Sequence, residues 1–113
     1  MSKGKVVLVP FPFDDLSTSK VRPAVCLTDP VGRYNHIILA FISSRIPEEP
    51  EESDLKLEQG KDGFSQTGLR LTSVLRLHRL MTVSQSFIRR ELGALSAEWQ
   101  KEVELRLRKL FGF

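Results

Sequence analysis

His36-Ile37-Ile38-Leu39-Ala40-Phe41-Ile42-Ser43 is the stretch that decides the fold of this 113-residue chain. The apolar residues between its polar ends follow one another without interruption, which is typical of a strand covered on both faces of a sheet. A strand exposed on one face would instead alternate polar and apolar residues. We therefore predict that this segment lies in the middle of a β-sheet.

Shorter strands are predicted on both sides of this central segment. Valine-rich residues 5–9 favour a strand that ends, or runs along an edge, at Pro10 and Pro12, because proline cannot donate to a strand ladder. A polar loop of turn-forming residues follows at 14–20. Further strands are predicted at residues 22–28, 55–57, 69–78 and 80–83.

Two segments after the central strand differ sharply in regularity. Residues 45–68 combine prolines, a run of acids and glycines, and they predict a long excursion of the kind that tends to be functional or mobile. Residues 69–78 alternate, so we expect one face to carry the leucines and the other to carry the polar side chains. The leucines are Leu69, Leu71, Leu75 and Leu77.

A helix is predicted from the capping residue Ser96 to about Leu110. Glu98 in its first turn and basic residues in its last turn match the helix dipole. The expected buried stripe is Trp99, Val103, Leu107 and Leu110, and the expected i,i+4 pairs are Glu102–Arg106 and Glu104–Arg108. About five short strands and one terminal helix predict a mainly β fold, a small and strongly bent barrel with a C-terminal helix. We expect a single domain over residues 1–113.

The composition limits the classes of protein to which this chain can belong. Apolar residues make up 41% of the chain, and no apolar run approaches the ~20 residues that span a bilayer. The N-terminus lacks the pattern of a signal peptide, so we expect a cytoplasmic protein without a membrane partner. The lone Cys26 is predicted to be a buried structural thiol. Two distant histidines and one cysteine have no ligand spacing, so no metal and no cofactor are expected.

The charge is unevenly distributed. The formal net charge is only +3, yet five of the 14 acids fall between Glu48 and Asp54, and the rest of the chain carries 17 bases against nine acids. A basic body suits a polyanionic partner such as a nucleic acid. A solvated basic surface is the alternative, and charge alone does not separate the two.

Three polar groups stand at predicted strand ends and are candidates for phosphate chemistry. Arg22 precedes Pro23, which biases it to an extended conformation, and its guanidinium can donate two hydrogen bonds to a phosphate. Ser43 and Ser44 end the central strand, and Arg76 is followed two residues later by His78. Histidine side chains change charge near neutral pH and can serve as acid or base. Together these groups predict a phosphodiester site.

With Arg22-Pro23-Ala24, Phe41 to Ser44, Gly68-Leu69 to Leu80, and Leu92 to Ser96 in view, the chain resembles toxins of the MazF/PemK (Kid) family over nearly its whole length. The resemblance implies an SH3-like barrel, a homodimer and a metal-independent endoribonuclease that cleaves single-stranded RNA. It also implies a cognate antitoxin that occupies the RNA groove, and DNA binding by the toxin–antitoxin complex.

The family pattern also implies roles for individual residues. Arg22, Ser43, Arg76 and His78 match its catalytic positions. Ser43 replaces the usual threonine, His78 an acid, and Lys5 the acid after the first glycine. Predicted RNA contacts are Phe11, by stacking on a base, and Lys20, Ser44, Arg70 and Arg79.

Alternatives stay open at this point. For Ser43 the alternative is a strand-end serine that bonds a local backbone group, and for His78 it is an exposed residue without a role. The departures at Lys5, Ser43 and His78 motivate a second reading, in which a weak or inactive member of the fold binds RNA or an antitoxin peptide. A barrel adaptor for proline-rich peptides is the weakest reading, because the chain has few aromatic residues for such a groove.

Overall fold

The fold is an antiparallel sheet followed by one helix. The computed structural model describes residues 2–10 and 20–113, so the predicted Phe11 contact and nearly all of the predicted polar loop lie outside the described residues. The strands are β1 (Lys5–Pro10), β2 (Val21–Cys26), β3 (His36–Ser43), β4 (Asp54–Leu57), β5 (Ser73–Ser84) and β6 (Arg90–Ala94), and the helix is α1 (Ala97–Phe111). Short 3-10 helices span Ser65–Thr67 and Gln85–Phe87.

The sheet order confirms the central position of β3. The six strands run in the order β4-β5-β3-β2-β1-β6, and every neighbouring pair is antiparallel. Four consecutive residues of β3, Leu39 to Ile42, are buried, although Ile38 is exposed on one face. β1 ends at Pro10 as predicted, but it lies inside the sheet, between β2 and β6.

Apolar side chains cover both faces of the curled sheet. One cluster, which includes Val6, Val25 and Leu75, packs against α1 through Val103 and Trp99. The other cluster includes Val7, Ala24 and Phe41 and lies on the opposite face of the same strands. The mainly β, strongly bent architecture with a C-terminal helix is therefore confirmed.

The helix begins where the sequence predicts. The Ser96 hydroxyl accepts a hydrogen bond from the Trp99 N–H at 3.2 Å, and Gly112 ends the helix in a left-handed conformation. The Glu102–Arg106 pair forms at 2.9 Å, whereas the Glu104 carboxylate meets Lys3 at 3.5 Å. The predicted stripe is too long, because Leu110 is 39% exposed. No helix among the described residues is long and apolar enough to cross a membrane.

The strand predictions after residue 68 need correction. Residues 69–72 lie outside any strand, and Leu71 among them is 62% exposed. The two predicted strands are one strand, Ser73–Ser84. The register with β3 shifts within it: Ala40 pairs with Leu80 and its neighbour Phe41 with Arg76. The intervening Leu77, His78 and Arg79 form a bulge that bends the strand, so the chain does not have to turn at Arg79.

β6 was not predicted from the sequence. Its residues, Arg90-Glu91-Leu92-Gly93-Ala94, have low strand propensity, and pairing with β1 imposes the extended conformation. Gly93 is needed there, since a Cβ at this position would lie 2.0 Å from the Gln66 carbonyl oxygen.

Candidate active site

The strand register assigns Arg22 and Ser43 to one face of the sheet. Ala24 pairs with Phe41, and Arg22 and Ser43 each lie two residues further along their strands, on the same side as that pair. Arg22 is exposed and Ser43 is half-buried. If the pairing of β2 with β3 is continued by two residues beyond Ala24 and Phe41, Arg22 lies opposite Ser43.

The Ser43 hydroxyl is engaged with nearby backbone. It accepts a hydrogen bond from the Arg45 N–H at 3.1 Å, and it lies 3.3 Å from the Arg45 carbonyl oxygen, to which it can donate. This is the local backbone contact that the sequence analysis considered as an alternative role. The hydroxyl has one proton, so donation to a phosphate would replace its contact with the Arg45 carbonyl oxygen.

Arg76 lies on the same face of the sheet, opposite Phe41. On its other side it pairs with Asp54 of β4, and its Nε donates to Asp54 Oδ1 at 2.8 Å. The Asp54 side chain is 3% exposed and that of Arg76 is 16% exposed. This ion pair is therefore largely shielded from solvent, whereas Lys3–Glu104, Lys56–Glu58 and Lys109–Glu52 are exposed pairs.

His78 reaches the same carboxylate from the bulge in β5. Its Nδ1 lies 3.8 Å from Asp54 Oδ1, which is ion-pair range when the imidazole is protonated. A cleft of about 360 Å³ opens beside this histidine. The cleft is lined by Glu51, Glu52, Ser53, His78, Arg106, Lys109 and Leu110.

Asp54 is the site residue that the sequence analysis missed. The acidic run was treated as part of a long excursion, but its last member begins an edge strand and faces inward. The alternating Asp54-Leu55-Lys56-Leu57 indicates a strand, but it assigns Asp54 to the face opposite Leu55 and Leu57, so the sequence carried no sign that this carboxylate is buried. Only the pairing of β4 with β5 shows that Asp54 meets Arg76.

The predicted RNA-contacting residues are spread along the chain. Lys20 is exposed immediately before β2, and Ser44 is exposed immediately after β3. Arg70 lies in the turns before β5, and Arg79 lies in the β5 bulge next to His78. Lys20 and Ser44 thus flank Arg22 and Ser43, and Arg79 adjoins the Arg76–His78 pair, while Arg70 lies farther along the chain.

The remaining candidates lie outside this cluster. His36 is exposed at the opposite end of β3, with its ring 6.0 Å from that of Tyr34. Cys26 is fully buried, and burial, assisted by the Glu91 carboxylate, raises the pKa of its thiol to about 11. Within residues 2–10 and 20–113, no group of three or more histidine, cysteine or acidic side chains is arranged to hold a metal ion.

The fold and this arrangement of polar residues define a family. A model of the PemK-like, MazF-like toxins of type II toxin–antitoxin systems matches residues 2–111. The chain therefore belongs to this toxin family, as the resemblance implied. A search among curated proteins gives no match.

Solved structures share the fold at low sequence identity. The Mycobacterium tuberculosis toxin MazF-mt6 has a TM-score of 0.73 and 16% identity, with 96% of this chain and 97% of that chain covered. An endoribonuclease in complex with its cognate antitoxin, from a mycobacterial species, has a TM-score of 0.74 and 9% identity, with 100% of this chain and 96% of that chain covered. MazE–MazF from Deinococcus radiodurans has a TM-score of 0.69 and 19% identity, with 100% of this chain and 96% of that chain covered.

Proposed function

We propose that this protein is an endoribonuclease toxin that cleaves single-stranded RNA, such as mRNA, without a metal ion. The observation that carries the proposal is the register that assigns Arg22, Ser43 and Arg76 to one face of the sheet, in a chain of the PemK/MazF family. Three donors on one face suit a phosphate oxygen, and the histidine two residues after Arg76 supplies a candidate proton carrier.

The chemistry assigned to these residues is attack of the RNA 2′-hydroxyl on the adjacent phosphorus. A base removes the 2′-proton, the P–O5′ bond breaks, and an acid protonates the leaving 5′-oxygen, which leaves 2′,3′-cyclic phosphate and 5′-hydroxyl ends. Arg22 stabilises the charge that develops on the phosphorane, a role typically worth ~3–4 kcal/mol for a preorganised donor. Ser43 donates to the same group, and His78 carries a proton.

Cleavage of a fluorescent RNA oligonucleotide in the presence of a chelator tests the proposal. The wild-type protein is expected to give products with cyclic phosphate ends, and Arg22→Ala is expected to lower kcat at least about 100-fold. Arg33→Ala is the matched control, because Arg33 is an exposed arginine in the turn before β3, near the Tyr34 ring. Undiminished cleavage by Arg22→Ala would remove the central assignment.

The partners follow from the same proposal. We assign RNA contacts to Lys20, Ser44 and Arg79, which adjoin the candidate site, and to Phe11 and Arg70 from the sequence. A cognate antitoxin is supported by the complexes among the solved relatives. A homodimer would cover exposed apolar residues such as Leu105, which is 58% exposed. Sedimentation of the protein alone and with the antitoxin encoded beside it tests both partners.

A second candidate function is binding without cleavage. The specific observation in its favour is that Ser43 and Arg76 already have partners, in the Arg45 backbone and the Asp54 carboxylate. RNA that binds with salt-dependent affinity but stays intact at every pH tested would favour this function over the nuclease.

A further inference from the structure

Asp54 is a buried carboxylate with contacts from several directions. Its side chain is 3% exposed, Oδ1 accepts from Arg76 Nε at 2.8 Å, and Oδ2 accepts from the Glu51 N–H at 2.9 Å. Its backbone carbonyl also accepts from Arg106 Nη1 at 2.6 Å. A buried charge is costly unless it is paired and hydrogen-bonded, so this residue holds its position firmly.

Asp54 holds the Arg76 guanidinium through its Nε atom and leaves the terminal nitrogens for a substrate. With Nε bound to Asp54 Oδ1, the plane of the guanidinium is set, and the terminal Nη atoms lie on its far side from the side-chain stem. A free arginine side chain samples many rotamers, and holding it before the substrate arrives removes an entropic cost of catalysis.

His78 faces the same oxygen atom at a longer distance. Its Nδ1 faces Asp54 Oδ1 at 3.8 Å, which leaves Nε2 as the ring nitrogen directed away from the carboxylate. The charged groups around this imidazole are Asp54 and Arg76 on the sheet, Glu51 and Glu52 on the preceding turn, and Arg106 and Lys109 on α1. Among these, Asp54 is the carboxylate in direct range of the ring nitrogen.

We propose that Asp54 is a positioning residue of this site: it orients Arg76 toward a phosphodiester without touching the RNA itself. The inference rests on the proposed nuclease function. It assigns to the edge strand β4 a part in catalysis that its acidic sequence did not indicate.

A double-mutant cycle on the full-length protein tests the proposal. Asp54→Asn keeps the size of the side chain and removes its charge, and it is expected to lower kcat about 10–100-fold, as loss of an orienting partner typically does, with KM for the RNA oligonucleotide unchanged within twofold. Because Asp54 acts through Arg76, the double variant with Arg76→Ala should be no slower than Arg76→Ala alone. A merely structural role would instead give effects that multiply.

The cycle separates two kinds of failure. If the wild-type protein does not cleave RNA, the proposed function fails and the positioning role falls with it. If the wild type cleaves and Asp54→Asn cleaves equally fast, or if the two effects multiply, the positioning role alone is overturned. Ser73→Ala is the control for stability, because it removes a buried hydroxyl that donates to the Leu71 carbonyl at 2.8 Å, away from the carboxylate.

A measurement on the unmodified protein covers the case in which Asp54→Asn does not fold. The Nε–H proton of Arg76 should exchange with solvent much more slowly than that of the exposed Arg33 in nitrogen-15 NMR spectra. Exchange at the rate of Arg33 would overturn the inference. The longer Asp54→Glu variant keeps the charge but displaces it, and it is expected to retain folding with a reduced kcat.

Discussion

Arg106 of the C-terminal helix donates to the backbone carbonyl of Asp54 at 2.6 Å. The same nitrogen lies 2.8 Å from the Glu52 carbonyl, and Nε is held by Glu102 at 2.9 Å. β4 has one neighbour in the sheet, so this guanidinium gives the edge strand a second attachment. The helix is thereby tied to the strand that carries the buried carboxylate.

Replacing Arg106 should therefore destabilise the fold and loosen β4. Because hydrogen bonds to charged groups contribute about 1.5–3 kcal/mol, we expect Arg106→Ala to lower the free energy of unfolding by about 2 kcal/mol in urea titrations. Arg108→Ala, an exposed arginine two residues further on, is the matched control and should change it by less than about 0.5 kcal/mol. Equal losses in the two variants would contradict the attachment.

Two glycines should respond differently to alanine. A Cβ on Gly93 would lie 2.0 Å from the Gln66 carbonyl oxygen, which is backbone and cannot swing aside. Gly112 has open space but a φ of +75°, so there the cost is conformational, about 1–2 kcal/mol. Thermal unfolding should show Gly112→Ala mildly destabilised, and Gly93→Ala destabilised beyond about 3 kcal/mol or unfolded. A Gly93→Ala protein as stable as wild type would mean that β6 and the Ser65–Thr67 turn are not in contact.

Cys26 makes stability depend on pH in the alkaline range. Burial raises the pKa of its thiol from 9.0 to about 11, so the folded state holds the proton more tightly than the unfolded chain. The stability gained from this group is complete below pH 9 and is lost as the pH rises toward 11, up to about 3 kcal/mol. Unfolding in urea at pH 8 and 10 should show a smaller decline for Cys26→Ala than for wild type. Since both proteins share every lysine and tyrosine, parallel declines would refute the assignment.

Variants of Ser43 test how far the placement of its hydroxyl limits the rate of RNA cleavage. Ser43→Ala should lower kcat about 100-fold, the effect of losing one preorganised donor. Ser43→Thr keeps the hydroxyl and restricts χ1 through its branched Cβ, so it should cleave at least as fast as wild type. Ser86→Ala, in the short 3-10 helix that follows β5, is the control. If Ser43→Ala cleaves normally, the hydroxyl serves only the Arg45 backbone.

The central strand and the helix were readable because local chemistry sets them. The uninterrupted apolar run of β3 fits only a covered strand, and Ser96 and Gly112 bracket the helix by capping and by left-handed geometry. The family resemblance rested on the order of several weak motifs, and the match over residues 2–111 confirms it. The roles given to Arg22, Ser43, Arg76 and His78 stay predictions.

β6 and the bulge in β5 could not be predicted from the sequence, because they depend on partners far away along the chain. β6 is extended through its ladder with β1, and the bulge around His78 exists because β5 must follow β3 past a bend. Propensity and periodicity describe a segment in isolation, so they cannot report contacts of this kind.

The amino-acid sequence by itself determined the mainly β class, the central strand, the terminal helix and the residue types suited to phosphate chemistry. Only the tertiary structure decided that Asp54 lies beside Arg76 on the neighbouring strand and near His78. Pairing of strands whose contacting residues are 22 positions apart sets that contact. Burial makes the contact important for stability, because a carboxylate removed from water must find a cation.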